Sequence, residues 1–372
     1  MRGHTRFGSA LVAAALCGLI SAPASAGVRA CSSGWTVVPS PQGGAKYNQL
    51  NGVAAVASDD VWAVGGSKTH FRTLTEHWDG ASWTVVQSPS SGFADFFNGV
   101  AADPAGDVWA VGGRDTYGSQ LLTLTARWDG SAWVEVPSPS EFDQSPLYDV
   151  DVLSSTDAWA VGYGNGTMAI HWDGSSWTNV HTPDPASSSS GFKAVSAASS
   201  ADVWAVGYAS QDATIRTLIE HWDGSGWAIV PSPNRPGVPN DLEDVVVVSP
   251  VDVWAVGHSG PAPEWSTLVE HWDGSQWTIV PSPTMGTGFL EDVAAVSATN
   301  VWTAGWAYRN GKDRTLVEHW DGSTWTLVAT PNPSSVENQL RGITGLSSGE
   351  LWAVGHFVSG SEQTLVESAC FS

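Results

Sequence analysis

Tryptophan returns along this chain at a step of 45 to 50 residues, and that recurrence leaves room for few folds. The tryptophan of a Val-Trp-Ala-Val-Gly type of segment stands at Trp62, Trp109, Trp159, Trp204, Trp254, Trp302 and Trp352. A second series precedes Asp-Gly at Trp78, Trp128, Trp172, Trp222, Trp272 and Trp320. A third follows five residues later at Trp83, Trp133, Trp177, Trp227, Trp277 and Trp325, with one extra member at Trp35. Of the 22 tryptophans in the 372-residue chain, only Trp265 and Trp306 stand outside these series. So much indole excludes a disordered chain, because it cannot stay solvated. With 40 Gly and 21 Pro, and abundant Ser, Thr and Val, the composition also argues against helices.

Each of the seven units divides into four short β-rich runs, as in Leu50 to Ala57, Asp60 to Gly65, Thr73 to Trp78 and Ser82 to Val86. Asp-Gly after the third run is turn chemistry, since a tight turn needs positive φ. Apolar residues do not alternate cleanly with polar ones inside the runs, which predicts strands covered on both faces. Units of this length with four antiparallel strands, repeated radially, describe an all-β, seven-bladed β-propeller.

The ends predict how the ring closes. The seventh unit stops at Ser372 with three strands, and the N-terminus carries an orphan fourth strand at Trp35-Thr36-Val37-Val38. Adding it to the last blade removes two open sheet edges. In the repeat alignment, Cys370 and Cys31 both fall on the position of the turn Asp, which predicts a Cys31–Cys370 disulfide. Such a bridge would be worth roughly 5 kcal/mol as an upper figure. Residues 1–26 read as a secretory signal: Arg2 and Arg6, an apolar run from Ala10 to Ile20, and Ala24-Ser25-Ala26 before a cut at Gly27. That leaves 27–372 as one propeller domain, secreted and extracellular, with no transmembrane segment expected. The other cysteine, Cys17, leaves with the signal. A lipidated Cys31 is the rival reading of the same stretch.

The repeat resembles the kelch unit of galactose-oxidase-like propellers. Val61-Trp62-Ala63-Val64-Gly65-Gly66 stands where that family has a strand ending in a glycine pair, although only the first two units keep both glycines. Glu76-His77-Trp78-Asp79 stands near its Tyr-Asp element, and Trp83 matches its strand-opening Trp. Trp-Asp-Gly-Ser-x-Trp-Thr also looks like a shortened Asp-box turn of sialidase-type propellers. The resemblance implies a scaffold and no particular activity.

Function is sought where the units differ. The link between strands one and two keeps its length, as does the link between strands three and four; both lie on one face of the ring. The links between strands two and three, and between blades, vary and lie on the other, so that face is the candidate site. The residue after the strand-two glycine is Gly66, Gly113, Tyr163, Tyr208, His258, Trp306 and His356. With Trp265, Tyr117 and Tyr308, this set offers rings to stack on sugars or anchor a protein, against the plainer reading that they fill gaps between blades. The acids Asp149, Asp151, Glu243, Asp244, Glu291 and Asp292 are expected at the channel mouth. There they would form a solvated rim, hold Ca²⁺, or act as acid and base on a glycoside. Arg72, Arg114, Arg216, Arg309, Lys312 and Arg314 on the variable side clamp an anionic ligand or pair with local acids. His77, His171, His221, His271 and His319 recur once per blade, so they cannot converge on one ion. Like Glu76, Glu220, Glu270, Glu318 and Glu367, they are expected to be structural, hydrogen-bonded within each blade.

The net charge of -22 speaks against nucleic acid, which needs a basic footprint. No nucleophile elbow, zinc motif or phosphate loop is present. The expectation is a monomeric, non-enzymatic binding propeller without a required cofactor, recognising a glycan or a cell-surface protein. A glycan-cleaving enzyme using the channel acids and a purely structural envelope protein are the alternatives.

Overall fold

A computed structural model describes residues 32–42, 47–67, 72–116, 120–140, 144–183, 185, 189–211, 214–283 and 286–371. The segment 1–26 expected to be a signal, Cys31 and Tyr117 lie outside the described residues. No described helix is long and apolar enough to cross a membrane.

Valine, tryptophan and threonine runs form strands because their branched or flat side chains pack on a pleated surface. In the first blade the strands are Asn48–Ala57, Asp60–Ser67, Arg72–Trp78 and Trp83–Val85, in the spatial order of the sequence. Six blades repeat this antiparallel meander. The seventh takes Glu337–Gly345, Glu350–Ser359 and Ser361–Cys370 from the C-terminal end and Thr36–Val37 from the N-terminal end. Thr36 faces Ser368 and Val37 faces Glu367 across that seam. The fold is a seven-bladed β-propeller.

The core lies between blades. One apolar cluster joins Trp62 and Val64 of blade 1 to Val100, Val108 and Trp133 of blade 2, and six similar clusters complete the ring. Its recurring unit is a tryptophan triad. Trp62 meets Trp128 of the next blade at 4.7 Å and stands edge-on to Trp133 at 5.2 Å. Such pairs add about 0.5–1.5 kcal/mol each beyond the area they bury. Trp352 closes the circle on Trp78 and Trp83 of blade 1, at 5.1 and 5.4 Å. At the seam, Trp302 uses Trp35 from the N-terminal strand and Phe371 in place of the missing tryptophan.

The constant face is held by two repeated devices. Each Asp-Gly turn places Gly at positive φ, 88° at Gly80 and 93° at Gly322, while the Asp carboxylate accepts two backbone N–H groups. In blade 7 the Cys370 N–H donates instead to Ser32 O at 2.8 Å, so the two tails meet at the aligned position. The repeated histidines are hydrogen-bonded inside their own blades, His77 to Asp60 at 2.8 Å and His319 to Asn300 at 2.9 Å, and Arg127 replaces them in blade 2 against Asp107. The glutamates behave differently from the expectation. Glu76, Glu220, Glu270, Glu318 and Glu367 are fully buried, and the carboxyl oxygens of Glu220, Glu270 and Glu367 have no hydrogen-bond partner among the described residues. Burial pushes Glu76, Glu220, Glu270 and Glu318 up to about 8.

Candidate functional site

The innermost strand of every blade carries a β-bulge, for instance between Leu50 and Gly52 and between Leu242 and Asp244. The strand-two glycine makes it possible: a Cβ on Gly65 would lie 2.0 Å from Gln49 O, and one on Gly257 2.1 Å from Asp241 O. That close approach gives the seven-fold repeated glycine its reason. The bulge leaves one residue per blade unpaired and re-aims its side chain. Around the ring these residues are Asn51, Asn98, Tyr148, Lys193, Glu243, Glu291 and Arg341, and all line the central channel, a cavity of about 340 Å³. They stand near the start of strand one, at the variable-face end of the channel.

The six acids named from the sequence do line the channel. Four of them spend their carboxylates on the neighbouring blade. Asp149 accepts from Val195 N at 2.9 Å, Asp151 from Ala197 N at 2.7 Å, Asp244 from Val293 N at 2.7 Å and Asp292 from Ile343 N at 2.8 Å. In blades 1 and 2, where glycine stands in place of Asp149, Asp244 and Asp292, the bulge asparagine takes over: Asn51 donates to Phe97 O and Asn98 to Leu147 O. Burial pushes Asp149 up to about 8 and Asp244 well above the ordinary range, with repulsion from Asp292 adding to both. Through one oxygen each, these carboxyls tie adjacent blades together.

Glu243 and Glu291 are the two that reach the mouth, and each meets a cation that the sequence reading passed over. Lys193 Nζ lies 3.4 Å from Glu243 Oε2, and Arg341 lies 3.2 Å from Glu291 Oε2. Burial opposes the charge on Lys193, but Glu243, Asp241 and Tyr148 together raise its pKa. Arg341 also donates to Gln339 Oε1, and its Nε is shielded from solvent with no partner among the described residues. Lys193 and Arg341 were legible in principle, since every bulge residue sits two places before the aligned strand-one valine or isoleucine.

The aromatic set divides. His258, Trp265 and Trp306 come together around Phe289: His258 stands edge-on to Trp265 at 4.9 Å, and Phe289 stacks on Trp306 at 4.3 Å. Trp306 Nε1 donates to Glu291 Oε1 at 2.8 Å. Tyr163 stacks on Tyr148 at 6.3 Å, and both Tyr163 and Tyr208 border Gly191. All of these rings are half-buried, so they are less open than exposed stacking platforms would be. His356 departs from the expectation of an exposed group. It is buried and bonded to Glu337 Oε1 at 3.0 Å. Tyr308 is 51 % exposed near the outer end of its strand. Among the variable-face cations, Arg114 pairs with Asp95 and Glu135, while Arg72 and Arg314 bind carbonyls of the inter-blade links at Ser90 and Ser334.

Asp241 and His258 face each other across strands one and two of blade 5, with Glu243 two residues on. Burial, then repulsion from Glu243, pushes Asp241 up to about 7, and burial pushes His258 down to about 4. The imidazole is therefore neutral at neutral pH.

No protein-family model matches the chain, and no curated protein matches it in sequence. Solved structures share its fold. YCF48 bound to D1 peptide is similar over 91% of this chain and 95% of its own, with a TM-score of 0.61 and 15% identity. YCF48 from Cyanidioschyzon merolae is similar over 90% and 98%, with a TM-score of 0.58 and 15% identity. A polysaccharide lyase, the PL25 ulvan lyase bound to -[GlcA(1-4)Rha3S]-, is similar over 88% and 95%, with a TM-score of 0.55 and 9% identity. At these identities the likeness is one of fold: this chain is built as a β-propeller of the kind those proteins share.

Proposed function

We propose that the chain is a secreted, non-enzymatic binding propeller whose channel mouth takes an extended polypeptide segment of a surface protein. The observation that carries this is the bulge ring, where two cations and two anions stand together: Lys193 and Arg341 beside Glu243 and Glu291. A polypeptide offers donors, acceptors and both charges to such a ring, and desolvated groups of this kind dominate binding energy. YCF48, of like fold, is described with a bound peptide. A glycan is the second reading, supported by the Tyr148–Tyr163 pair and by the polymer on the lyase. Cleavage of that glycan draws less support, since four channel acids already bond to backbone.

The test presents wild type, Arg341→Ala and Trp306→Ala with a displayed peptide library and with a glycan array. Selected peptides whose affinity falls about thirtyfold or more in Arg341→Ala, the scale of a hot-spot residue, support the reading. Capture of glycans alone, or new reducing ends in a polysaccharide digest, overturns it. Secretion, removal of residues 1–26 and the Cys31–Cys370 bridge belong to the same proposal. Mass spectrometry of the exported chain checks them: a start at Gly27 and no free thiol are expected.

A further inference from the structure

Two positions flank the central apolar residue of each innermost strand, and in blades 1 and 7 their side chains satisfy one another. Gln49 Nε2 donates to Asn51 Oδ1 at 2.6 Å in blade 1, and Arg341 donates to Gln339 Oε1 at 3.0 Å in blade 7. Blade 5 breaks this pattern. There the same positions carry two carboxylates, Asp241 and Glu243, and the residue across the strand pair is His258. One ligand atom from each of the three lies within 4.8 Å of the other two. His258 Nδ1 stands 3.6 Å from Glu243 Oε1, too far for a hydrogen bond. Asp241 Oδ1 and His258 Nδ1 are both shielded from solvent, and neither has a hydrogen-bond partner among the described residues. Buried acceptors left open in this way call for a cation or a donor.

We infer that Asp241, Glu243 and His258 form a binding site for one divalent first-row transition ion, of the Zn²⁺ or Mn²⁺ type. Two carboxylate oxygens and one imidazole nitrogen are a mixed donor set suited to such ions, whereas Ca²⁺ takes oxygen ligands alone. Lys193 does not occupy the place, because it approaches Oε2 of Glu243 and leaves Oε1 turned toward the imidazole. Trp265 at 4.9 Å and Phe289 at 4.8 Å hold the His258 ring from two sides, which fixes the ligand's direction. Glu243 also lines the channel, so the ion would stand at the edge of the mouth. The site goes beyond the binding role and holds whether the partner is peptide or glycan.

The experiment strips the full chain with chelator and dialyses it against Zn²⁺, Mn²⁺ or Ca²⁺, with the bound metal counted by mass spectrometry. One equivalent of Zn²⁺ or Mn²⁺ is expected. Asp241→Asn and His258→Gln should each weaken it by at least the roughly tenfold that even an outer partner's removal costs. His319→Gln on the constant face should not. A wild-type measurement stands beside the variants should they misfold: bound Mn²⁺ should broaden the indole N–H resonances of Trp265 and Trp306 before those of the triad tryptophans. No ion retained by wild type, retention unchanged in both variants, or broadening led by the triad indoles overturns the inference.

Discussion

The two ends of a single blade's strands follow opposite rules. At the constant face, blade after blade repeats the same contacts: a histidine on the Asp, or in blade 6 the Asn, that opens strand two, and an Asp carboxylate capping its own turn. At the variable face, the bulge residue changes from asparagine to tyrosine, lysine, glutamate and arginine while the backbone beneath it stays the same. Repetition therefore marks what every blade requires of itself, and variation marks what the shared blade scaffold leaves free. The channel aspartates show the limit of that rule. They vary among blades yet are structural, because an asparagine one position earlier can make an equivalent tie.

Several measurements can break this division. The largest effect is expected from the buried glutamates of the repeated half. Their folded pKa lies near 8 against an ordinary 4.5, so between those values the folded chain holds protons that the unfolded chain has released. Stability is then full below pH 4.5, falls as pH rises through about 8, and levels off above; each group can account for a few kcal/mol. Thermal unfolding should show a lower Tm at pH 9 than at pH 5.5, with a smaller difference in Glu220→Gln. A Tm that rises over this range would refute the assignment. Next in size, Trp254→Ala removes the centre of one interface triad and should cost about 3–5 kcal/mol by denaturant unfolding, without selective loss of ligand. A cost below about 1 kcal/mol, the level of a surface change, would deny the triads their role.

Lys193→Ala should do the reverse. Its half-buried pair with Glu243 is worth about 1 kcal/mol or less to folding, yet binding at the mouth should fall about tenfold. Equal loss of stability and affinity would erase the distinction between the faces. The smallest effect is expected at the exposed turns. Hydrogen bonds from Ser175 and Ser176 hold the Asp173 carboxyl down at about 2, so its contribution is present above pH 3.8 and lost as pH falls toward 2. Asp173→Ala should lower Tm slightly at pH 5.5 and pH 9 alike and narrow the decline toward pH 2, where the two proteins converge; a Tm unchanged at pH 5.5 and above would deny the turn carboxylate its role.

Much of this was visible in the residues as written. Tryptophan spacing and turn chemistry announced seven four-stranded blades, and the orphan strand at Trp35 announced the seam, because local β pattern and an open sheet edge both act within a few residues. The once-per-blade histidines were legible as structural for a related reason: a ring separates equivalent positions. The aromatic set was only partly legible. Tyr163, Tyr208, His258 and Trp306 broke the repeat and were found, but whether a ring lies open or folds against its neighbour depends on side chains from other strands. His356 and Trp306 show that dependence, one buried on Glu337 and the other covered by Phe289.

Period and composition thus sufficed for the architecture, since each blade is encoded by contacts close in sequence and repeated seven times. The use of the channel residues was not encoded that way. Asp149 and Val195, or Lys193 and Glu243, lie 46 or more positions apart and meet only when adjacent blades pack. Whether a carboxylate ties two sheets, pairs with a cation or faces an unfilled space beside His258 is set by that packing, because burial and partner geometry, and not residue type, determine what a charged group can do.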